Sequence, residues 1–196
     1  MFTQLKMLKI DTLTLNEKNI TDFAAARNRL LKSAKTGWVL FIDTDETLSG
    51  QLKNEIEKLD PKDFNGFFIK RKIIFLGKEI GEDKVLRLGK TDAGVWKRKV
   101  HETWNIKGKI GTLENYIIHN TATDIHSYIE KMNNYSDLHA KENMNEGKRS
   151  NLFKIIVYPK AKLIVNLLQG RGFTFSILQS FHSFLGWVKL WELQRK

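Results

Sequence analysis

At 196 residues, with 41% hydrophobic and 28% charged residues, the chain is long enough for one domain with a real core and has the composition of a soluble globular protein. It has no cysteine, which excludes disulfides, thiolate catalysis and thiolate-bound zinc. The formal net charge of +11 favours phosphate-bearing partners, such as nucleotides, nucleic acid or anionic lipid, and the opening MFTQLKMLKIDTL lacks the apolar core of a secretory signal.

Residues 5–15, LKMLKIDTLTL, alternate loosely and read as a strand. After a polar break at 16–19, Thr21 or Asp22 can cap a helix whose face is Phe23, Ala26, Leu30 and Ala34, with Gly37 just past its end. Arg27 and Asn28 lie off the centre of that face, and the pattern alone makes Arg27 a surface arginine. The run WVLFI, residues 38–42, has no polar break, which suits a strand buried on both faces, as in a parallel sheet. It stops at three carboxylates in four positions, Asp43, Asp45 and Glu46. Ligands of open α/β sheets bind beyond the carboxyl ends of strands, and close like charges call for a divalent cation or a bound donor as complement. A solvated acidic turn is the plainer alternative.

Residues 51–59 read as an amphipathic helix ending before Asp60-Pro61. FFIKRKIIFL, residues 67–76, is apolar at both ends with a basic middle and reads as a strand or hairpin arm. Residues 85–88 are a short strand candidate, and 94–104 hold a second polar knot, Val100-His101-Glu102. Glycines 108 and 111 divide 107–118 into short strands before His119. Residues 124–145 turn helical, with Ile125, Tyr128, Ile129, Met132 and Tyr135 at helical spacing. From 148 to 196 nine basic residues stand against one acid, Glu192. There Ile177, Phe181, Phe184, Val188 and Trp191 form an apolar stripe, widened by Leu178 and Leu185. It suits either a helix lying in a membrane interface or one packed on its own domain or a second subunit.

Four stretches together resemble bacterial family 2 glycosyltransferases of the lipopolysaccharide-core and exopolysaccharide type. FAAARNRLLKSAKTGWVLFIDTDETLS is similar to that family's ARN…A.GDWVLFLDADE.LS. GFFIKRKIIFLGKEI followed by DKVLRLGK, VHETWNIKGKIGTLENYIIHNT and SYIEKMNNYSDLHAKE continue the likeness, and GRGFTFSILQSFHSFLGWVKLWE looks like its C-terminal helix. Two departures stand out. No V.I.t.NEE strand or DSGS.D turn precedes Leu5, and the loop before VLRLGK is short and lacks the usual tryptophan and proline, with Asp83 where the family has an aspartate.

The resemblance implies a three-layer α/β sandwich of the nucleotide-diphospho-sugar transferase type, N-terminally incomplete. It divides the chain into an α/β domain at 1–147 and a basic amphipathic helical tail at 148–196. The implied activity is inverting transfer of a sugar from a nucleotide-sugar donor to a saccharide or lipid-linked acceptor, in bacterial cell-surface polysaccharide synthesis. The implied cofactor is Mg²⁺ or Mn²⁺, held by Asp45, with Asp43 sharing it or touching the ribose and His101 as third ligand. Arg27, Asp43 and Arg87 would contact the donor, and Glu102, then Asp83, are the candidates for the base. Expected partners are an anionic membrane surface, at the inner face of the cytoplasmic membrane, and a second copy or an N-terminal chain completing the sheet. Nucleic acid is not expected, because the charge forms no recognisable reading motif.

Two other readings compete. VLFIDTDETL also fits the hhhDxDxT pattern of haloacid-dehalogenase-type phosphatases, with Asp43 as nucleophile and Asp45 as acid; against it, a strand and helix come first and no GDxxxD pair follows. A non-catalytic remnant that binds a membrane or a subunit is the other.

Overall fold

The computed structural model describes residues 8–17, 20–99 and 102–196. The chain divides into two compact units, residues 1–73 with 82–119, and residues 74–81 with 120–196.

The first unit is built on a sheet. Its elements in chain order are β1 (Ile10–Thr14), α1 (Phe23–Lys32), β2 (Trp38–Ile42), β3 (Glu46–Leu48), α2 (Gly50–Glu57), β4 (Phe64–Phe75), β5 (Lys78–Lys90), β6 (Gly94–Lys97), β7 (Thr103–Ile106) and β8 (Lys109–Ala122). The ends of β4, β5 and β8 belong to the second unit. Six strands form one sheet in the order β1-β2-β5-β4-β8-β3, and β6 pairs with β7 in a separate ribbon. β2 has a parallel neighbour, β1, with Ile10 opposite Trp38, and an antiparallel one, β5, with Leu40 opposite Leu88. What the unbroken apolar run reports is burial on both faces, not the direction of its neighbours.

That burial is complete. Trp38, Leu40 and Ile42 pack with Leu52 and Ile56 of α2 and with Phe67, Ile69, Leu88, Leu113 and Ile117. Val39 and Phe41 point the other way, against Ala24 and Leu31 of α1 and against Trp96 and Trp104 of the ribbon. Each such side chain taken fully out of water contributes about 1.5–3 kcal/mol. The strand is thereby fixed, and so is the position of the turn at its carboxyl end.

The helices begin where their caps say. Asp22 accepts from the Ala25 N–H at 2.8 Å to start α1, and Ser49 accepts from the Leu52 N–H at 3.1 Å to start α2. α1 ends at Lys32, short of Gly37, because Ser33 Oγ donates to Leu30 O at 2.8 Å and Asp11 accepts the Thr36 N–H at 3.0 Å, which pull the chain out of the helix. Its buried residues are Ala24, Ala26, Arg27 and Leu31, so the inner face is rotated from the expected one and Arg27 is not a surface arginine.

Two expected short strands are long ones. β5 runs for 13 residues and β8 for 14. Gly111 does not break β8: it seats the Phe67 ring, which a Cβ there would meet at 2.7 Å. β4 and β5 are joined by Leu76 and Gly77, both at positive φ (49° and 77°), the combination of a two-residue hairpin turn that matches strand twist.

The second unit is helical, with α3 (Ile125–Asn145), α4 (Leu152–Leu168) and α5 (Phe173–Leu193). Asp124 caps α3 and Asn151 caps α4 through the N–H groups of Ser127 and Lys154 at 2.8 and 2.9 Å. Phe75, Ala122, Tyr128, Met132 and Phe175 form its core, with Phe75 edge-on to both Tyr128 and Phe175. The basic segment thus holds two helices rather than one stripe. α5 buries Phe175, Ser176, Gly186 and Leu190, while Ile177, Phe181 and Phe184 of the expected stripe are exposed. No helix among the described residues is long and apolar enough to cross a membrane.

Candidate functional site

The turn from β2 into β3 carries Asp43, Asp45 and Glu46 to the place where β5, β4 and β8 also end or pass. The turn closes through Glu46 N–H to Asp43 O (3.0 Å) and Asp43 N–H to Glu46 Oε2 (3.1 Å). β3 then pairs with β8, which sets Glu46 opposite His119.

Around this turn the charged side chains form one alternating series. Glu102 accepts from Arg27 Nε at 2.9 Å, and Arg27 Nη2 donates to Asp43 Oδ1 at 2.6 Å. Arg87 Nη2 donates to Asp43 Oδ2 at 2.5 Å and lies 3.3 Å from Glu46 Oε1. Arg71 Nη1 donates to the same Glu46 oxygen at 2.9 Å, and its Nε and Nη2 hold both oxygens of Asp83 at 2.9 and 2.7 Å. Five elements or their flanking loops supply these groups, with separations of up to 75 residues in sequence.

The series is buried at its centre and open at its rim. The Glu46 side chain has no solvent exposure and that of Arg27 has 3%, whereas the Asp43 and Asp45 side chains keep 27% and 29%. Arg27 also lies 4.8 Å from the Trp96 ring centroid, and Trp96 stacks on Trp104 with both edge-on to Phe41. These rings exclude water from one side of the guanidinium and strengthen its ion pairs. Asn28 explains the ribbon's place: its side-chain amide exchanges two 2.9 Å hydrogen bonds with the backbone of Trp96.

Burial alone pushes the Asp43 carboxyl up, but the charges and hydrogen bonds of Arg87 and Arg27 outweigh it, so its net direction is below the ordinary carboxylate range. Burial likewise works against the charged form of Arg27 and of Arg71, and their carboxylate partners outweigh it, leaving both guanidiniums above their ordinary value.

Asp45 stands beside this series, with Oδ2 3.3 Å from His119 Nε2. His101, the implied third metal ligand, lies outside the described residues. Of the other candidate residues, the structure brings Arg27, Asp43, Arg87, Glu102 and Asp83 into one series. Glu46, singled out as part of the acidic turn but given no role, joins them, as do Arg71 and His119, which were not candidates. Arg71 comes from the basic middle of the 67–76 run and His119 from the end of the VHE stretch, so both lie within sequence already singled out.

Among the described residues, no group of three His, Asp or Glu side chains is arranged to hold a metal ion. Three guanidiniums face four carboxylates in the series, and Asp45 adds a fifth, so with all groups ionised the cluster keeps negative charge. A hard cation with one carboxylate, water and ligand oxygens around it suits such a donor set.

No protein-family model matches this chain. It is 28% identical to a protein of Rickettsia typhi named an uncharacterized glycosyltransferase, over 81% of this chain and 63% of that protein. A Rickettsia prowazekii protein of the same description matches at the same identity and coverage. The chain therefore spans less than two thirds of the length of these relatives.

Proposed function

We propose that the chain is part of a metal-dependent, inverting family 2 glycosyltransferase that moves a sugar from a nucleotide-sugar donor to a saccharide or lipid-linked acceptor in bacterial cell-surface polysaccharide synthesis. One observation carries the reading. Arg27 Nη1 and Arg87 Nε are buried without an acceptor among the described residues, near a partly exposed Asp45 just past the buried strand β2. Buried guanidinium N–H groups left unpaired are costly, and phosphate oxygens are the acceptors that match their geometry and charge.

In this reading Arg27 and Arg87 bind the donor diphosphate, and Asp43 aims both by accepting one hydrogen bond from each. Glu46 keeps Arg87 from folding away and is itself held by Arg71. Asp45 would hold Mg²⁺ or Mn²⁺, with His101 as the further ligand that the family resemblance implies, while Asp43 stays engaged by the two arginines. When bound, such an ion supplies Lewis-acid neutralisation of the diphosphate leaving group. A carboxylate takes the proton of the acceptor hydroxyl. Glu102 suits that step better than Asp83, because Arg27 engages one oxygen of Glu102 whereas Arg71 occupies both oxygens of Asp83.

The phosphatase reading loses ground on the same geometry. A nucleophilic Asp43 needs an oxygen aimed at phosphorus, and each of its oxygens already accepts from a guanidinium at 2.6 Å or less.

Release of nucleoside diphosphate from a panel of nucleotide sugars, with Mn²⁺ present, tests the proposal. Turnover that falls about a hundredfold or more in Asp45→Ala and in Arg87→Lys supports it. Hydrolysis of a generic phosphate ester that depends on Asp43 would replace it with the phosphatase.

A further inference from the structure

Helix α4 is apolar on the side it turns to solvent. Its buried residues are Ile155, Pro159 and Asn166, whereas Leu152, Phe153, Ile156, Ile164, Leu167 and Leu168 are exposed, from 42% at Leu167 to 82% at Leu168. A helix facing water carries its polar residues outward, and one that is apolar all round belongs in a core or in lipid. On α5, Phe173, Ile177, Phe181 and Phe184 recur every three or four residues and are exposed as well. The helices lie side by side: Ser180 Oγ donates to Pro159 O at 2.8 Å, and the Tyr158 and Trp187 rings meet at 4.9 Å. The apolar exposure is therefore concentrated on two neighbouring helices rather than scattered singly over the protein.

Charge selects the occupant. No acidic residue occurs from 147 to 191, while Lys148, Arg149, Lys154, Lys160, Lys162 and Arg171 lie on or beside α4. A second copy docked on this face would bring like charges together. An anionic bilayer offers hydrocarbon to the apolar side chains and headgroups to the lysines and arginines at once. The 17 residues of α4 extend about 25 Å, too short to span with charges at mid-helix, so the helix would lie along the interface.

We propose that α4, with the first half of α5, is an interfacial anchor that docks the protein on an anionic lipid surface. This moves the centre of contact from the 177–191 stripe to α4 and the first half of α5, since Val188 and Trp191 at the far end of the stripe are half-buried. The inference is independent of the transfer reaction.

Sedimentation of the intact chain with phosphatidylcholine vesicles containing about a quarter phosphatidylglycerol tests it. The expected result is salt-sensitive binding that falls about tenfold or more in a Phe153→Glu/Leu168→Glu variant, and again in a Lys160→Glu/Lys162→Glu variant, with unchanged circular dichroism. Binding unaffected by both variants, or equal binding to pure phosphatidylcholine, would overturn the proposal. So would absence of binding, whether or not it comes with self-association that the same substitutions abolish; in that case a second copy is the occupant.

Discussion

In the sheet-based unit, Glu46 sits with no side-chain exposure between two arginines; in the helical unit, Leu168 leaves 82% of its surface in water. Each breaks the usual sorting of polar out and apolar in, and the two breaks mean different things. Buried charges survive only when paired, so the first region is a fixed electrostatic device whose stability and chemistry are tied together. Exposed apolar side chains cost the fold little, so the second region can change its surface without changing its structure. Substitutions should therefore separate the regions by which measurement moves.

The largest expected effect lies in the buried series. Glu46→Ala leaves Arg71 and Arg87 facing each other without their shared carboxylate and should destabilise the protein by about 3–5 kcal/mol in urea unfolding. Loss of less than about 1 kcal/mol would mean that the series is not load-sharing.

Acid should act on the same region. The Asp43 carboxyl is lowered in the folded state, so between its folded value and the ordinary carboxylate value the unfolded chain binds more protons and stability rises with pH. The Asp43 contribution is complete above about pH 4 and is lost as pH falls through the folded value. Asp43→Asn should flatten that acid limb in urea midpoints measured from neutral pH downward; an unchanged limb would assign the acid sensitivity to other carboxylates.

At the rim the effect shrinks. The Asp83 side chain is 40% exposed and solvent screens its pair with Arg71, so Asp83→Ala should cost no more than about 1 kcal/mol despite the two-point contact. Smallest of all is Leu168→Gln in α4, expected within about 0.5 kcal/mol of the parent in urea unfolding. A larger loss there would show that the apolar face of α4 supports the fold.

The same contrast marks what sequence can reveal. β2 was legible because an unbroken apolar run has one good explanation, α1 because Asp22 can cap its start, α2 because its amphipathic spacing ends at Asp60-Pro61, and α3 because Ile125, Tyr128, Ile129, Met132 and Tyr135 recur at helical spacing. Arg27 was not legible from periodicity: its burial depends on Glu102, 75 residues away, and on the ribbon held by Asn28. Arg71 and His119 could not be gathered into the site without the strand order, which sets β4 and β8 between β5 and β3. Gly111 reads locally as a break and acts as a seat for Phe67. α4 was read only as part of a helical tail at 148–196 and not as a helix of its own, for the reason that makes it interesting. Amphipathic spacing is the signal for a helix, and a helix with exposed apolar residues on several sides and Pro159 within it gives almost none. The family resemblance carried the roles of Asp45, Glu102 and His101, which no local pattern distinguishes from an acidic turn or a surface histidine.

The account turns on Asp45, which keeps 29% of its side chain exposed just past β2, as a carboxylate that would hold a divalent cation. Electron paramagnetic resonance of Mn²⁺ titrated into the protein with a nucleoside diphosphate tests this most directly. We predict bound Mn²⁺ that depends on the diphosphate, with affinity reduced about tenfold or more by Asp45→Ala while the urea midpoint stays unchanged. Wild-type Mn²⁺ binding by Asp45→Ala in the presence of the diphosphate would contradict it.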